Sequence, residues 1–270
     1  MKQSVQCIYY SATNTTQKIL NAVAQGTGLE VQPSINIGNP KIRNSFDGGV
    51  NGDLLLVGSA VYEGSIPFIA MEPFLKLKGE GKWAAVVGVY GNRSPEGYVS
   101  ELSGLLRERG FKIIAGAEFI AEHSFNHEEI GKSGAVGRPD EADLSKAGDF
   151  GQQIRKKMVN PFEAAIESKP LKFGDQYKNR SEWVNERLKK AINGPSYDLE
   201  KCIQCNKCVE VCPVEAVNAS TYETNMDACI KCMACVKICP TYAKTAIFAP
   251  PVSQFMKSWG QERKEPKLFF

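Results

Sequence analysis

Eight of the nine cysteines fall between Cys202 and Cys239, in "CIQCNKCVEVCP" at 202–213 and "CIKCMACVKICP" at 229–240. Both runs read C-x2-C-x2-C-x3-C-P, and the second repeats the first at an offset of 27 residues. Thiolates at this density bind metal or do redox chemistry. Three cysteines spaced three apart on a curled loop can reach three corners of one iron–sulfur cube. The fourth, beside a proline that turns the chain, is aimed away. Zinc usually takes two C-x2-C knuckles or mixes in histidine, and neither of the two histidines lies near. A disulfide framework would need an oxidising compartment, which nothing in the chain suggests.

The pattern resembles that of bacterial two-cluster ferredoxins, in which the fourth cysteine serves the other cluster. The resemblance implies two [4Fe–4S] clusters. Cys202, Cys205, Cys208 and Cys239 would hold one; Cys212, Cys229, Cys232 and Cys235 would hold the second. Backbone amides on these loops are expected to donate to sulfur and tune the potentials. The ninth thiol, Cys7, lies in an apolar strand-like run and reads as a small buried hydrophobe.

Two hundred residues precede these runs, and a 270-residue chain has room for two domains. The first part alternates strand-length apolar runs ("SVQCIYY", "LEVQPSINI", "DLLLVGSAVY", "WAAVVGVYG", "FKIIAGAEFIA") with helical stretches. The helices are expected over residues 14–25, 67–77, 96–109 and 140–158. Such alternation predicts a parallel sheet covered on both faces, with ligands beyond the carboxyl ends of its strands.

Three loops fall at those ends. "SATNTT" puts four hydroxyls (Ser11, Thr13, Thr15, Thr16) before a helix whose free amides can surround a phosphate. One of them would suffice as an ordinary N-cap. "SAVYEGSIP" and "YGNRSPEGY" place Tyr62 with Gly64 and Tyr90 with Gly91, aromatic rings that could flank a planar ligand. Either loop alone is only a turn. Together the three resemble the flavodoxin family, whose phosphate loop S/T-x-T-G-x-T is matched by Ser11, Thr13 and Thr16. Asn14 stands where glycine is usual, and asparagine tolerates the left-handed conformation better than most residues. The resemblance implies FMN, with Ser11, Thr13, Asn14, Thr15 and Thr16 at its phosphate. Ala60, Val61 and Tyr62 from one loop, and Tyr90, Gly91 and Asn92 from the other, would contact the isoalloxazine.

As a whole the chain resembles flavodoxin–ferredoxin fusion proteins, over about residues 3–158 and 196–249. The expected fold is α/β: a flavodoxin-like doubly wound parallel five-stranded sheet, then a small α+β bacterial ferredoxin-like two-cluster domain. Residues 1–159 would form the FMN domain, 160–195 a linker, 196–249 the cluster domain and 250–270 a tail. In the linker, Ser181 is read as capping a charged helix with Trp183 and Leu188 as its apolar contacts. In the tail, Phe255, Trp259, Phe269 and Phe270 are expected to pack on the protein's own body. The implied function is electron transfer between two [4Fe–4S] clusters and FMN, serving low-potential redox protein partners. No acid, base or nucleophile constellation stands out, so a carrier is favoured over an enzyme. The alternatives are an FMN-dependent reductase of a small acceptor, and an interaction or maturation protein with structural clusters and no flavin. A homodimer could bring one subunit's clusters to the other's flavin.

The remaining signals are bland. A net charge of +3 argues against a nucleic-acid surface. No apolar run approaches the ~18–20 residues of a membrane helix. The N-terminus has no extended apolar stretch and no small-residue cleavage site, so a cytoplasmic location is expected; an anaerobic setting is a separate expectation that no residue dictates. Arg93 is read as either an inward charge beside the flavin or a surface arginine. His123 and His127 are read as surface histidines. No dinucleotide fingerprint follows a strand, because the glycines of "GGVNG" precede one.

Overall fold

The computed structural model describes residues 3–126, 134–172, 186–188, 190–250, 254, 258 and 262–270. Strands β1 (Ser4–Tyr10), β4 (Leu54–Ala60), β5 (Trp83–Tyr90) and β6 (Lys112–Ile120) are apolar runs buried almost throughout. Burial on both faces is what a parallel sheet demands, and β1–β4, β4–β5 and β5–β6 all pair in parallel. The run over 29–37 is split into β2 (Glu30–Val31) and β3 (Ile35–Asn36), both paired with β1. Between them lies Pro33, which has no amide for the ladder. Taken as one strand, they give the order 2-1-3-4-5 of flavodoxin-like sheets.

One further strand departs from the expected five. β9 (Lys267–Phe269) adds antiparallel to β6 and covers what would be an open edge. Phe270 then stacks at 5.6 Å on Phe150, which places the end of the tail on the protein's own body.

Helices α1 (Thr15–Gly26) and α5 (Glu141–Lys157) cover one face of the sheet, burying Ile19, Leu20, Val23, Phe150 and Ile154 against Val5, Cys7 and Leu56. Helices α3 (Phe68–Lys76) and α4 (Tyr98–Glu108) cover the other, with Phe74, Leu102 and Leu105 inward. Each such side chain contributes about 1.5–3 kcal/mol of burial. A short helix α2 (Pro40–Ser45) was not expected from the sequence. Its signals are nonetheless local: Asn39 Oδ1 accepts from the amides of Lys41 and Ile42, and Pro40 starts the first turn.

The cysteine-rich module is built on an antiparallel pair, β7 (Ile192–Tyr197) and β8 (Lys244–Phe248), with α6 (Lys207–Glu210) and α7 (Ala234–Ile238). The sequence repeat is also a backbone repeat. Gln204, Asn206 and Glu215 are left-handed, and so are Lys231, Met233 and Tyr242, each 27 residues further on. Leu188 packs against the module's small core. Ser181, Trp183, His127, Phe255 and Trp259 lie outside the described residues.

The start of α5 is fixed by a buried ion pair. Arg138 Nε donates to Asp143 Oδ2 at 2.8 Å, with side chains 5% and 1% exposed. Asp143 also completes a capping box with Asp140, and Arg138 Nη1 donates to the Lys264 carbonyl. Asp143→Ala would leave the guanidinium buried and unpaired. We expect a loss of about 3–5 kcal/mol in urea unfolding; a loss below about 1 kcal/mol would show that the pair is dispensable.

Candidate functional site

Two cavities lie in the cysteine-rich module. One, of about 330 Å³ including space open to solvent, is lined by Cys202, Cys205, Cys208 and Cys239. The other, of about 300 Å³ on the same measure, is lined by Cys212, Cys229, Cys232 and Cys235. Each quartet thus combines three cysteines of one run with the fourth of the other. Among the described residues no group of three His, Cys, Asp or Glu side chains is placed to hold a single metal ion. The left-handed residues curl each loop so that successive amides turn inward. Gln204 N donates to Cys202 Sγ at 3.3 Å, Lys231 N to Cys229 Sγ at 3.4 Å, and Ala216 N to Cys212 Sγ at 3.2 Å. These are the donors that a thiolate ligand needs, so the residues fit iron–sulfur ligation.

The quartets differ in setting. Cys205 is exposed, whereas Cys212, Cys232 and Cys235 are buried. Burial, opposed by the Ala234 amide and reinforced by Cys229 and Cys212, pushes the bare Cys232 thiol up to about 12. A thiolate there requires a cation to balance it. At Cys239 burial also raises the thiol, but the amides of Lys244, Thr241 and Ala243 outweigh it and leave it below its ordinary value. Cys7 is pushed up to about 12 by burial and is fully enclosed, an inert apolar filler.

The three sequence-predicted loops meet at the carboxyl ends of neighbouring strands β1, β4 and β5. In the first, Asn14 precedes α1 at φ 63°, the left-handed conformation that glycine would otherwise supply. No side chain caps α1. Ser11 Oγ accepts from Gln17 N at 3.4 Å, and Thr16 is fully buried with its Oγ1 unpartnered. An uncapped helix start beside an orphaned buried hydroxyl suits an anion. Thr13 and Thr15 are half-buried in the same loop.

In the second loop Val61 N continues the sheet to Val89 O, and Tyr62 and Ser65 exchange backbone bonds around Glu63 and Gly64, both left-handed. This tight turn is held by buried Glu101, which accepts from Ser65 Oγ, Ile66 N and Lys172 N. In the third, Tyr90 is followed by Gly91, where a Cβ would lie 2.8 Å from His123 Cβ. Asn92 is buried and left-handed, and Lys264 Nζ donates to the carbonyls of Asn92 (2.6 Å) and Arg93 (2.9 Å). The tail therefore braces this loop. Arg93 pairs with Glu96 near the surface.

The module docks on these loops. Ile230, Cys232 and Ala234 belong to the same apolar cluster as Tyr10, Ile37 and Phe46, with Tyr62 packed against it. The rings of Tyr10 and Tyr62 meet edge to face at 6.0 Å with hydroxyls 3.4 Å apart. Burial raises the Tyr62 hydroxyl, and nearby Cys232 raises it further. Arg43 donates to the Pro213 carbonyl at 2.8 Å on one side, and Lys237 pairs with Glu122 on the other. Sequence reasoning missed Tyr10, Arg43 and Glu122; the doubled tyrosine "YY" at the end of β1 was the one available signal.

His123 is also not the surface residue expected. Its Nδ1 accepts from Phe125 N at 3.1 Å, so the neutral ring carries its proton on Nε2. Its ring packs at 4.7 Å on Phe125, which stacks on Phe248 of the module. Burial, then the charges of Lys237 and Arg93, lower its pKa to about 4.

Residues 194–240 match the family model of the 4Fe-4S dicluster domain. No curated protein matches the chain. Among solved structures, an archaeal flavodoxin is 18% identical over 58% of this chain and 99% of its own, with a TM-score of 0.42. A flavodoxin of Streptococcus pneumoniae TIGR4 is 19% identical over 57% of this chain and 99% of its own, at 0.40. The Flv1 flavodiiron core of Synechocystis sp. PCC6803 is 18% identical over 60%, and the match spans 37% of that protein, at 0.42. The strand order defines a flavodoxin-like domain and the family match a 4Fe–4S dicluster domain. The chain has the architecture of a flavodoxin–ferredoxin fusion. No helix among the described residues is long and apolar enough to cross a membrane.

The His123 setting gives a pH test. The unfolded imidazole binds a proton near 6.5 and the folded one only near 4. Its contribution is therefore complete above pH 6.5 and is lost as pH falls from there toward 4. Between pH 7.5 and 5.5 the native protein should lose about 1 kcal/mol more stability than His123→Gln. Parallel pH profiles of unfolding for the two proteins would refute it.

Proposed function

We propose that the chain is an iron–sulfur flavoprotein that passes electrons between two [4Fe–4S] clusters and FMN on behalf of redox protein partners. The observation that carries this reading is the position of Cys232: a thiol of the second quartet lies in the same apolar cluster as the tyrosine pair at the strand ends. The clusters would supply one-electron chemistry and the flavin one- or two-electron chemistry. Cys202, Cys205, Cys208 and Cys239 would hold the outer cluster, and Cys212, Cys229, Cys232 and Cys235 the inner one. Ser11, Thr13, Asn14, Thr15 and Thr16 would receive the FMN phosphate. Ala60, Val61, Tyr62, Tyr90, Gly91 and Asn92 would line the ring. The docked module packs against the part-buried tyrosine contact, and the buried Thr16 hydroxyl offers a donor with no other use.

Protein purified without oxygen should contain about eight iron atoms and one FMN per chain. Cys202→Ser and Cys239→Ser should perturb the same paramagnetic species on reduction, and Cys212→Ser the other. Zinc in place of iron would end the cluster assignment. Iron-replete protein that takes up no added FMN would end the flavin assignment alone.

A further inference from the structure

Lys244, the first residue of β8, is 1% exposed. Its Nζ donates to the Tyr222 carbonyl and, at 2.9 Å, to Thr224 Oγ1, and it lies 5.4 Å from the centre of the Tyr197 ring. All three partners are neutral. Among the described residues no carboxylate pairs with it. A buried ammonium without a counter-ion costs several kcal/mol, so a fold that carries one needs negative charge close by. Its location supplies the candidates. Lys244 and Tyr222 line the first cysteine cavity, and Thr224 lines the second. The ammonium is thus held between the two quartets.

We propose that Lys244 is an internal counter-charge shared by both quartets, a positioning residue that favours the reduced state of each bound cluster. This rests on the reading that both quartets hold clusters. Four thiolates outweigh the positive charge of an iron–sulfur core, and each electron taken from a reductant adds one more negative charge without moving a proton. A fixed cation in a poorly solvated interior therefore stabilises the reduced form more than the oxidised one.

The test is a dithionite titration of iron-replete protein followed by paramagnetic resonance. Wild-type protein comes first: fewer than two clusters would defeat the underlying reading rather than this proposal. In Lys244→Met the reduced-to-oxidised ratio of both clusters at a set potential should fall about tenfold, a shift of about 59 mV for a one-electron couple. Lys244→Arg should stay near wild type, and so should Lys201→Met, whose charge is at the surface with its side chain 53% exposed. Unchanged titration of Lys244→Met, or a shift in one cluster only, overturns the proposal. Should Lys244→Met take up no iron, Lys244→Gln is judged by the same criteria. If neither neutral variant loads, iron uptake with native potentials in Lys244→Arg supports the charge, and failure of Lys244→Arg as well overturns it.

Discussion

The arrangement depends on one contact, the burial of Ile230, Cys232 and Ala234 in the apolar cluster that also holds Tyr10, Ile37 and Phe46. The cysteine-rich module has a small core of its own, centred on Ile192, Val217, Val236 and Phe248. A module of about 50 residues buries too little apolar surface to offset its conformational entropy comfortably. Metal ligation is one remedy. Docking a loop into a neighbour's core is another, and it has a geometric consequence. Because a cysteine is part of the docked loop, its distance from the strand ends is set by close packing and not by a linker.

That packing also explains which loops must be rigid. The turn over Tyr62–Ser65 faces the module, and its carboxylate anchor Glu101 is buried with three donors satisfied. The loop at Asn92 is braced from the far side by Lys264, and that segment is itself tied to α5 through Arg138 and Asp143. The second loop is thus fixed through Glu101, to which Lys172 of the following segment also donates, and the third by the C-terminal tail. Among the described residues the first loop, at Ser11–Thr16, is tied to its own helix start, and on the proposed reading that end receives an anion.

Much of this was legible in the sequence, for local reasons. The cysteine runs sort into the same two quartets that line the two cavities, and the buried strands announce themselves as apolar runs. Asn14 could be read as a left-handed residue because its role depends on its own backbone. What escaped was non-local. β9 pairs with a strand some 150 residues away, and nothing in "KLFF" names that partner. The split of the second strand was visible in Pro33, yet its two halves needed β1 as a template. His123 looked exposed because "EHSFNHEE" is polar, yet it is half-buried with its ring on Phe125, which in turn packs on Phe248 of the module. Tyr10 and Lys244 were hidden in runs that already had another explanation.

The two quartets share one backbone conformation but not one environment, and the difference arises from docking, not from ligand spacing. The outer quartet keeps Cys205 in solvent, where water can stabilise added negative charge. The inner quartet has Cys212, Cys232 and Cys235 at 7–9% exposure and abuts the tyrosine pair. Water is scarcer there, so each added electron costs more. On the proposed reading, burial alone makes the inner site the stronger reductant of the two, and it is the one set against the loops that would carry the flavin. On the same reading a cation between them, the role proposed for Lys244, would raise both without removing that difference. The step toward the flavin loops then crosses a packed interface at fixed spacing, so its rate would not depend on a diffusive encounter.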